Sequence, residues 1–398
     1  MQDQDRQNSE RRCILVIGLR IPSPDMDSGS FRMFNLLILL KEMSDSVSFV
    51  ALHPQSWPPF DSHIEKDKEL LRKSGIAVPE VSSLEQYIKS CGEEYDAVIL
   101  SDIDAADSNI DIVRKYASQA LIIFDTVDLH FLRYYREAKE TGNINILKKA
   151  LDTKKRELTI ARKADCTLVV SPVEKNILKN ACPELQVHII SNVHEPYAYS
   201  IPYSERRDIV FVGSFQHSPN LDAAHYLIED IFPLIKNKIE KVKLYVVGSS
   251  PPDSIAELSS ENVMITGFVD DLTSLMNKCR VSVAPLRFGA GVKGKVLQSI
   301  SCGLPVVGSS IAVEGSYLTH NLDVLIADTP ENFCQAVVDL YKNRRLWDKI
   351  SRNGLEIISK HFSLEATQKK LTILFEQMVK RNKNGSSACE RDNAGLQR

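Results

Sequence analysis

Several features are missing from this 398-residue sequence, and each absence removes a class of function. Its eight cysteines, at 13, 91, 166, 182, 279, 302, 334 and 389, form no C-x-x-C pair. Several sit inside apolar, strand-like runs, which suits buried thiols in a reducing cytoplasm and argues against a disulfide framework or a zinc site. No apolar stretch approaches the roughly 20 residues that span a bilayer, so any membrane contact is expected to be peripheral. The first apolar run, 13–19, follows a polar segment carrying both charge signs and precedes Arg20, which makes it a strand and not a signal peptide. The formal net charge is only -3, so nothing global points to a nucleic-acid partner. Neither half carries G-x-G-x-x-G with a suitably spaced acidic residue, which argues against a nicotinamide dehydrogenase. Asp102 and Asp104 are the one D-x-D-like pair at a strand end, and they fall in the first half. No metal or cofactor is expected, and no short internal repeat is visible.

What remains is ordinary globular protein: 43% hydrophobic and 25% charged residues in a chain long enough for two or three domains. Short β-rich runs alternate with amphipathic helical stretches from residue 12 onward, the pattern of a doubly wound parallel sheet. The alternation pauses at HEPYAYSIPYSERR, 194–207, which has two prolines, three tyrosines and no period, and it then restarts. The expected organisation is a disordered start (1–11), a first α/β domain (12–197), a linker (198–207), a second α/β domain (208–362), a closing helix (363–381) and a disordered tail (382–398).

Four clusters of residues carry chemistry. In 282–308, SVAPLRFGAGVKGKVLQSISCGLPVVG, a buried strand runs into a loop with Gly289, Gly291, Gly294, Lys293 and Lys295, then a short helix. Unpaired helix N–H groups and lysine charge converge there, as an anion site requires. Lys295 and Gln298 lie one helical turn apart on the same face. In 208–220, DIVFVGSFQHSPN, Gly213 and Ser214 end a strand where backbone N–H groups can approach a phosphate, although a glycine serving turn geometry alone reads the same way. After the strand ending at Asp125, Asp128, His130 and Arg133 emerge in one loop, where α/β sheets place ligands. After the first strand come Asp27, Ser28, Gly29, Ser30 and Arg32, with Ser28 and Ser30 as candidate helix caps.

VFVGSFQHSPN, VVGSS, ITGFVDDL, VAPLRFGAGVKGKVLQSISCGLPVVGS and AVEG together resemble the retaining glycosyltransferases of family 4, which have the GT-B fold. The resemblance covers nearly the whole chain and is strongest over 208–315. It implies two Rossmann-like doubly wound parallel-sheet domains facing a central cleft, with the closing helix packed back on the first domain. It also implies transfer of a sugar from a nucleoside-diphosphate sugar to an acceptor hydroxyl on a glycan or lipid-linked precursor. On that basis Gly213, Ser214, Gly289, Gly291, Lys293, Lys295 and Gln298 would bind the donor. His130 and Asp128 would be catalytic, facing the donor sugar or the acceptor, and Gly29, Ser30, Arg32 and Arg133 would lie on the acceptor side. The family's two glutamates, which have seven residues between them, are replaced here by Ala290 and Gln298, and Ser214-Phe215 stands where an arginine is common. Those replacements keep two alternatives in play, a nucleotide-sugar epimerase and a non-catalytic nucleotide-sugar-binding homologue.

Overall fold

The apolar runs ILVIG, AVILS, LIIFD and CTLV leave no polar face, and such strands are stable only when helices cover both sides of the sheet. In the computed structural model, which describes residues 12–53, 63–197 and 201–377, they do. The expected disordered ends 1–11 and 382–398, the start of the linker (198–200), residues 378–381 of the closing helix and Cys389 lie outside the described residues.

The first sheet contains β1 (Cys13–Gly18), β2 (Ser46–Ala51), β3 (Ala97–Ser101), β4 (Leu121–Asp125), β5 (Cys166–Val169) and β6 (Val187–Ile189). Its order is β2-β1-β3-β4-β5-β6, and every pair is parallel. The second sheet contains β7 (Arg207–Val212), β8 (Leu244–Val247), β9 (Val263–Gly267), β10 (Cys279–Ala284), β11 (Val306–Gly308) and β12 (Leu325–Ile326), in the order β12-β11-β10-β7-β8-β9, again all parallel. The order in which successive strands are laid down reverses at one place in each sheet, between β1 and β3 and between β7 and β10. Loops leaving the carboxyl ends there diverge and open a crevice. Between the two crevices lies a cleft of about 1220 Å³, lined by both domains.

The closing helix, 364–377 as far as it is described, returns to the first domain. Leu371, Leu374 and Phe375 are buried among Ile14, Val16, Leu36 and Leu40. All seven described cysteines are free, and burial pushes the thiols of Cys166, Cys279 and Cys302 up, the last two to about 12.

Two expectations about the first loop change. The helix Ser28–Met43 is capped by Asp27, whose carboxylate accepts from the Ser30 N–H at 2.8 Å and the Ser30 hydroxyl at 2.9 Å; neither Ser28 nor Ser30 is the cap. Arg32, expected on the acceptor side, lies in the floor of the cleft. It is 2% exposed and its guanidinium is committed to Asp125, at 2.8 and 2.9 Å, and to the Ile190 carbonyl at 2.9 Å. Ser101 adds a third donor to Asp125 at 3.0 Å. The pair ties the first helix to the ends of β3, β4 and β6, beneath the cleft floor. Removing one partner of a fully buried ion pair leaves an unpaired charge, which costs about 3–5 kcal/mol. Arg32→Ala is therefore expected to lower the unfolding free energy by about that much in guanidinium titrations, and Arg32→Met with Asp125→Leu should lose much less.

Candidate active site

Asp128 organises the first-domain wall of the cleft. It leaves β4 through Val127, a β-branched residue held at φ 63, and Asp102, at the end of β3, has φ 83. Both are strained conformations for side-chain-bearing residues, of the kind that cluster where ligands bind. Asp128 accepts from Arg133 at 3.0 Å and pairs with His130 Nε2 at 3.1 Å, with Asp102 3.7 Å from the same nitrogen. Burial pushes the Asp128 carboxyl up, but Arg133 and His130 overcome it and hold Asp128 well below the usual carboxylate range. Burial likewise opposes charge on His130, and the bond to Asp128 wins, so the imidazole is raised. Asp102 is raised by its burial, against the pull of His130.

The sequence suggested that Asp128, His130 and Arg133 share a loop. Instead a helix, His130–Thr141, begins at the histidine. Its local capping position is Leu129, which has no side-chain acceptor. The orphan N–H groups are met from a distance: Glu157 accepts from His130 N at 2.9 Å and Phe131 N at 3.2 Å, and Glu174 accepts from Leu129 N and Val170 N, both at 3.1 Å. Both carboxylates are 1% exposed, and burial pushes each up to about 7. They were not foreseen, because a cap supplied from 27 residues away leaves no local signal. Asp104 of the D-x-D-like pair turns away to Arg156, at 2.7 Å, and Asp102 caps the helix Ile103–Tyr116 by accepting from the Asp104 N–H. Among the described residues no group of three or more His, Cys, Asp or Glu is placed to hold a metal ion.

The second-domain wall comes from the ends of β7 and β10. The helix Gly294–Ser301 starts inside the glycine loop with no side-chain cap. Lys295, in its first turn, sends Nζ to the Asn220 side-chain oxygen and lies 4.8 Å above the Phe211 ring. Asn220 is itself fixed by donating to the Ser214 carbonyl at 2.8 Å. This packing explains Gly213: a Cβ there would stand 2.7 Å from Asn220 Cγ and 2.9 Å from Lys295 Nζ. Lys293 folds under its own loop, donating to the carbonyls of Ala290 at 2.9 Å and Gly291 at 2.6 Å. Neither lysine forms an ion pair among the described residues. Burial lowers Lys293 to about 8, and burial with the neighbouring Lys293 charge lowers Lys295 to about 7. Asn220 and His217, both lining the cleft, complete this wall; they stand in the QHSPN stretch that the sequence marked only through Gly213 and Ser214.

The cleft thus gathers every site residue named from the sequence, Gln298, Gly29 and Ser30 included. Arg32 reaches it only as part of the floor described above. The domains meet at glycines. Cβ atoms placed on Gly291, Gly294 and Gly315 would fall 3.0 Å from Asp128, 2.4 Å from Ser28 and 2.5 Å from Ser171. Asn192 donates to the Val292 carbonyl at 3.0 Å, again across the interface. Ala290, at the position of the missing first glutamate, is 9% exposed and packs in the same apolar cluster as Leu129 and Leu132.

A carboxyl raised from 4.5 to about 7 makes the folded protein bind protons that the unfolded chain has released, so this group's contribution to stability falls as pH rises through that window. Relative to Glu157→Gln, the wild-type unfolding free energy should accordingly increase as pH is lowered from about 7 to about 4.5, by up to about 1.4 kcal/mol per pH unit. Parallel denaturant titrations of the two proteins would show a constant difference if the carboxyl were not raised.

Residues 206–343 match the family model described as "Glycosyl transferases group 1". Among solved structures the chain is similar to HepE of Anabaena, crystallised with UDP and glucose, at 15% identity and TM-score 0.68, covering 92% of this chain and 100% of that one. It is similar as well to sucrose-phosphate synthase of Thermosynechococcus elongatus, at 14% identity and TM-score 0.69, covering 93% and 100%. Among curated proteins it matches an "Uncharacterized 44.6 kDa protein in cps region" of Klebsiella pneumoniae, 22% identical over 199 residues. That match spans about half of each protein, 47% of this chain and 51% of the relative. The expected GT-B fold is the observed one. No helix among the described residues is long and apolar enough to cross a membrane.

Proposed function

We propose that this protein, whose residues 206–343 form a glycosyl transferases group 1 domain, moves a sugar from a nucleoside-diphosphate sugar to an acceptor hydroxyl with retention at the transferred carbon. The observation that carries the proposal is the pair Lys293 and Lys295: two half-buried lysines without ion partners among the described residues, at the uncapped start of a helix, in the crevice where β7 and β10 diverge. Buried charge without a counterion is costly, and a diphosphate bound there relieves that cost. HepE, with the same fold, binds UDP and glucose, which supports a nucleotide sugar as the donor class.

In this reading the diphosphate lies against the amides that open the helix Gly294–Ser301, with Lys295 and Lys293 supplying charge, and Gly213 leaves room for it beside Ser214. Gln298, a turn further on, offers its amide to the ribose. As the bond to the sugar breaks, negative charge grows on the leaving diphosphate, and donors already in position stabilise it without reorganising. His130 faces the donor loop from the other domain. Its Nε2 is taken by Asp128, which orients the ring and leaves the other nitrogen for the sugar or the acceptor. The acceptor is a glycan or lipid-linked hydroxyl entering past Gly29, Ser30 and Arg133. Closed domains keep out water, the competing acceptor.

Lys295→Ala removes a charge-assisted contact worth about 1.5–3 kcal/mol, so nucleoside-diphosphate affinity should fall on the order of ten- to a hundredfold in calorimetry. Unchanged affinity would sink the donor assignment. The lowered Lys295 ammonium gives a second readout. Near pH 8 it is largely neutral in the free protein, and a bound diphosphate favours its charged form. Binding at pH 8 should therefore take up a proton, visible as a dependence of binding heat on buffer ionisation enthalpy, and affinity should fall as pH rises above about 7. Incubation with donor alone should leave the sugar unisomerised; an isomerised sugar would establish the epimerase alternative instead.

A further inference from the structure

The helix His130–Thr141 presents residues of the first domain to the second at intervals of three: His130, Arg133 and then Arg136. Arg136 crosses the interface between the domains. Its Nη1 donates to Glu314 at 2.7 Å and to the Gly289 carbonyl at 2.8 Å, and its Nη2 donates to the other Glu314 oxygen at 2.8 Å. The fork is mostly buried, with 18% of the arginine side chain and 25% of the glutamate exposed. One guanidinium thus holds the loop after β10 and the loop after the short helix Ser310–Val313.

The contact with Gly289 completes a row. Three successive carbonyls of the glycine loop are each held by a cation: Gly289 by Arg136, Ala290 and Gly291 by Lys293. In a trans peptide the N–H points opposite to the C=O. Each carbonyl held in this way turns the amide of the next residue, Ala290, Gly291 or Val292, away from the cation that holds it. Those three amides donate to no protein acceptor among the described residues. Consecutive free N–H groups in a loop with Gly289 at φ 143 and Gly291 at φ 67 are the kind of backbone that binds anions. Two of the three carbonyls are held from within the second domain. The third is held from the first.

We propose that Arg136 is a positioning residue: it completes the amide receptor for the donor diphosphate only when the two domains are together, so donor binding and domain closure favour each other. The proposal rests on the donor-site reading above. It makes Arg136 act through the peptide planes of the loop, without touching the phosphate.

The test uses the full chain with UDP, GDP and ADP as probes, comparing wild type, Arg136→Lys, Arg136→Ala, Glu314→Gln and the exchanged pair Arg136→Glu with Glu314→Arg. Each is measured by calorimetry, by small-angle scattering with and without the diphosphate, and by thermal unfolding. Couplings between sites are typically about 5- to 150-fold. Arg136→Ala should weaken the diphosphate that wild type binds by on the order of tenfold and lose the ligand-dependent decrease in radius of gyration. Arg136→Lys, which keeps the charge and loses the fork, should fall between. Glu314→Gln should weaken binding least, because the Gly289 contact survives. The exchanged pair should restore closure but not affinity, since the arginine is then on the wrong side of the cleft to hold Gly289. An ion pair that only stabilised the fold would lower the unfolding midpoint in Arg136→Ala and Glu314→Gln at unchanged affinity, and affinities of Arg136→Lys and Arg136→Ala within twofold of wild type would overturn the proposal. If Arg136→Ala does not fold, Arg136→Lys and Glu314→Gln still decide it. If none of the three diphosphates binds wild type, the donor-site reading falls and takes this proposal with it.

Discussion

The Asp128 carboxylate is the fixed point of this molecule. It binds His130 and Arg133 on its own domain, and its Cβ lies against Gly291 on the other. Its charge is maintained although buried, because two cationic neighbours overcome desolvation. Everything that must be aligned across the cleft is aligned to it: the imidazole orientation, the helix that starts at His130, and the height at which the glycine loop rests. Val127 is held in a left-handed conformation to deliver it, and the surrounding structure pays that strain through the remote caps Glu157 and Glu174.

The site runs on incomplete electrostatics. On the first-domain side the arginines are paired: Arg32 with Asp125, Arg133 with Asp128, Arg156 with Asp104 and Asp107. On the second-domain side Lys293 and Lys295 form no ion pair among the described residues and are held by carbonyl and amide oxygens. Neutral acceptors orient an ammonium but do not cancel its charge. The asymmetry gives the cleft a direction, with a balanced wall for neutral hydroxyl-bearing groups and an unbalanced wall for an anion. It is also a stability sacrifice of the sort that functional sites make.

Much of this was legible in the sequence, and what was not has physical reasons. Strand ends were readable because apolar runs stop at Gly18, Ser101, Asp125 and Gly213, and the crevices follow from strand order. The glycine–lysine loop announced itself by composition. Illegible were the features set by partners far away in the chain. The helix at His130 had no local cap, so its start looked like loop. Arg32 was placed with the acceptor-side residues because its partner is 93 residues on. Asn220 was not singled out, because its hold on Lys295 exists only once β7 and β10 are neighbours. The serines at 28 and 30 competed with Asp27 for one capping role, and the charged acceptor, with two oxygens to offer Ser30, took it.

The glycines at the domain interface have a mechanical meaning. Where Gly291, Gly294 and Gly315 meet Asp128, Ser28 and Ser171, no side chain from the second domain intervenes, so the surfaces bear on main chain against the stems of side chains. Side-chain contacts yield by changing rotamer, whereas main chain yields by bending covalent geometry, which is far stiffer. Closure in this protein therefore has a hard end-stop at three points, and three points define a plane. The relative tilt of the two sheets in the closed state is set by where carbon is absent, with the tolerance of a machined seat and not that of a cushion.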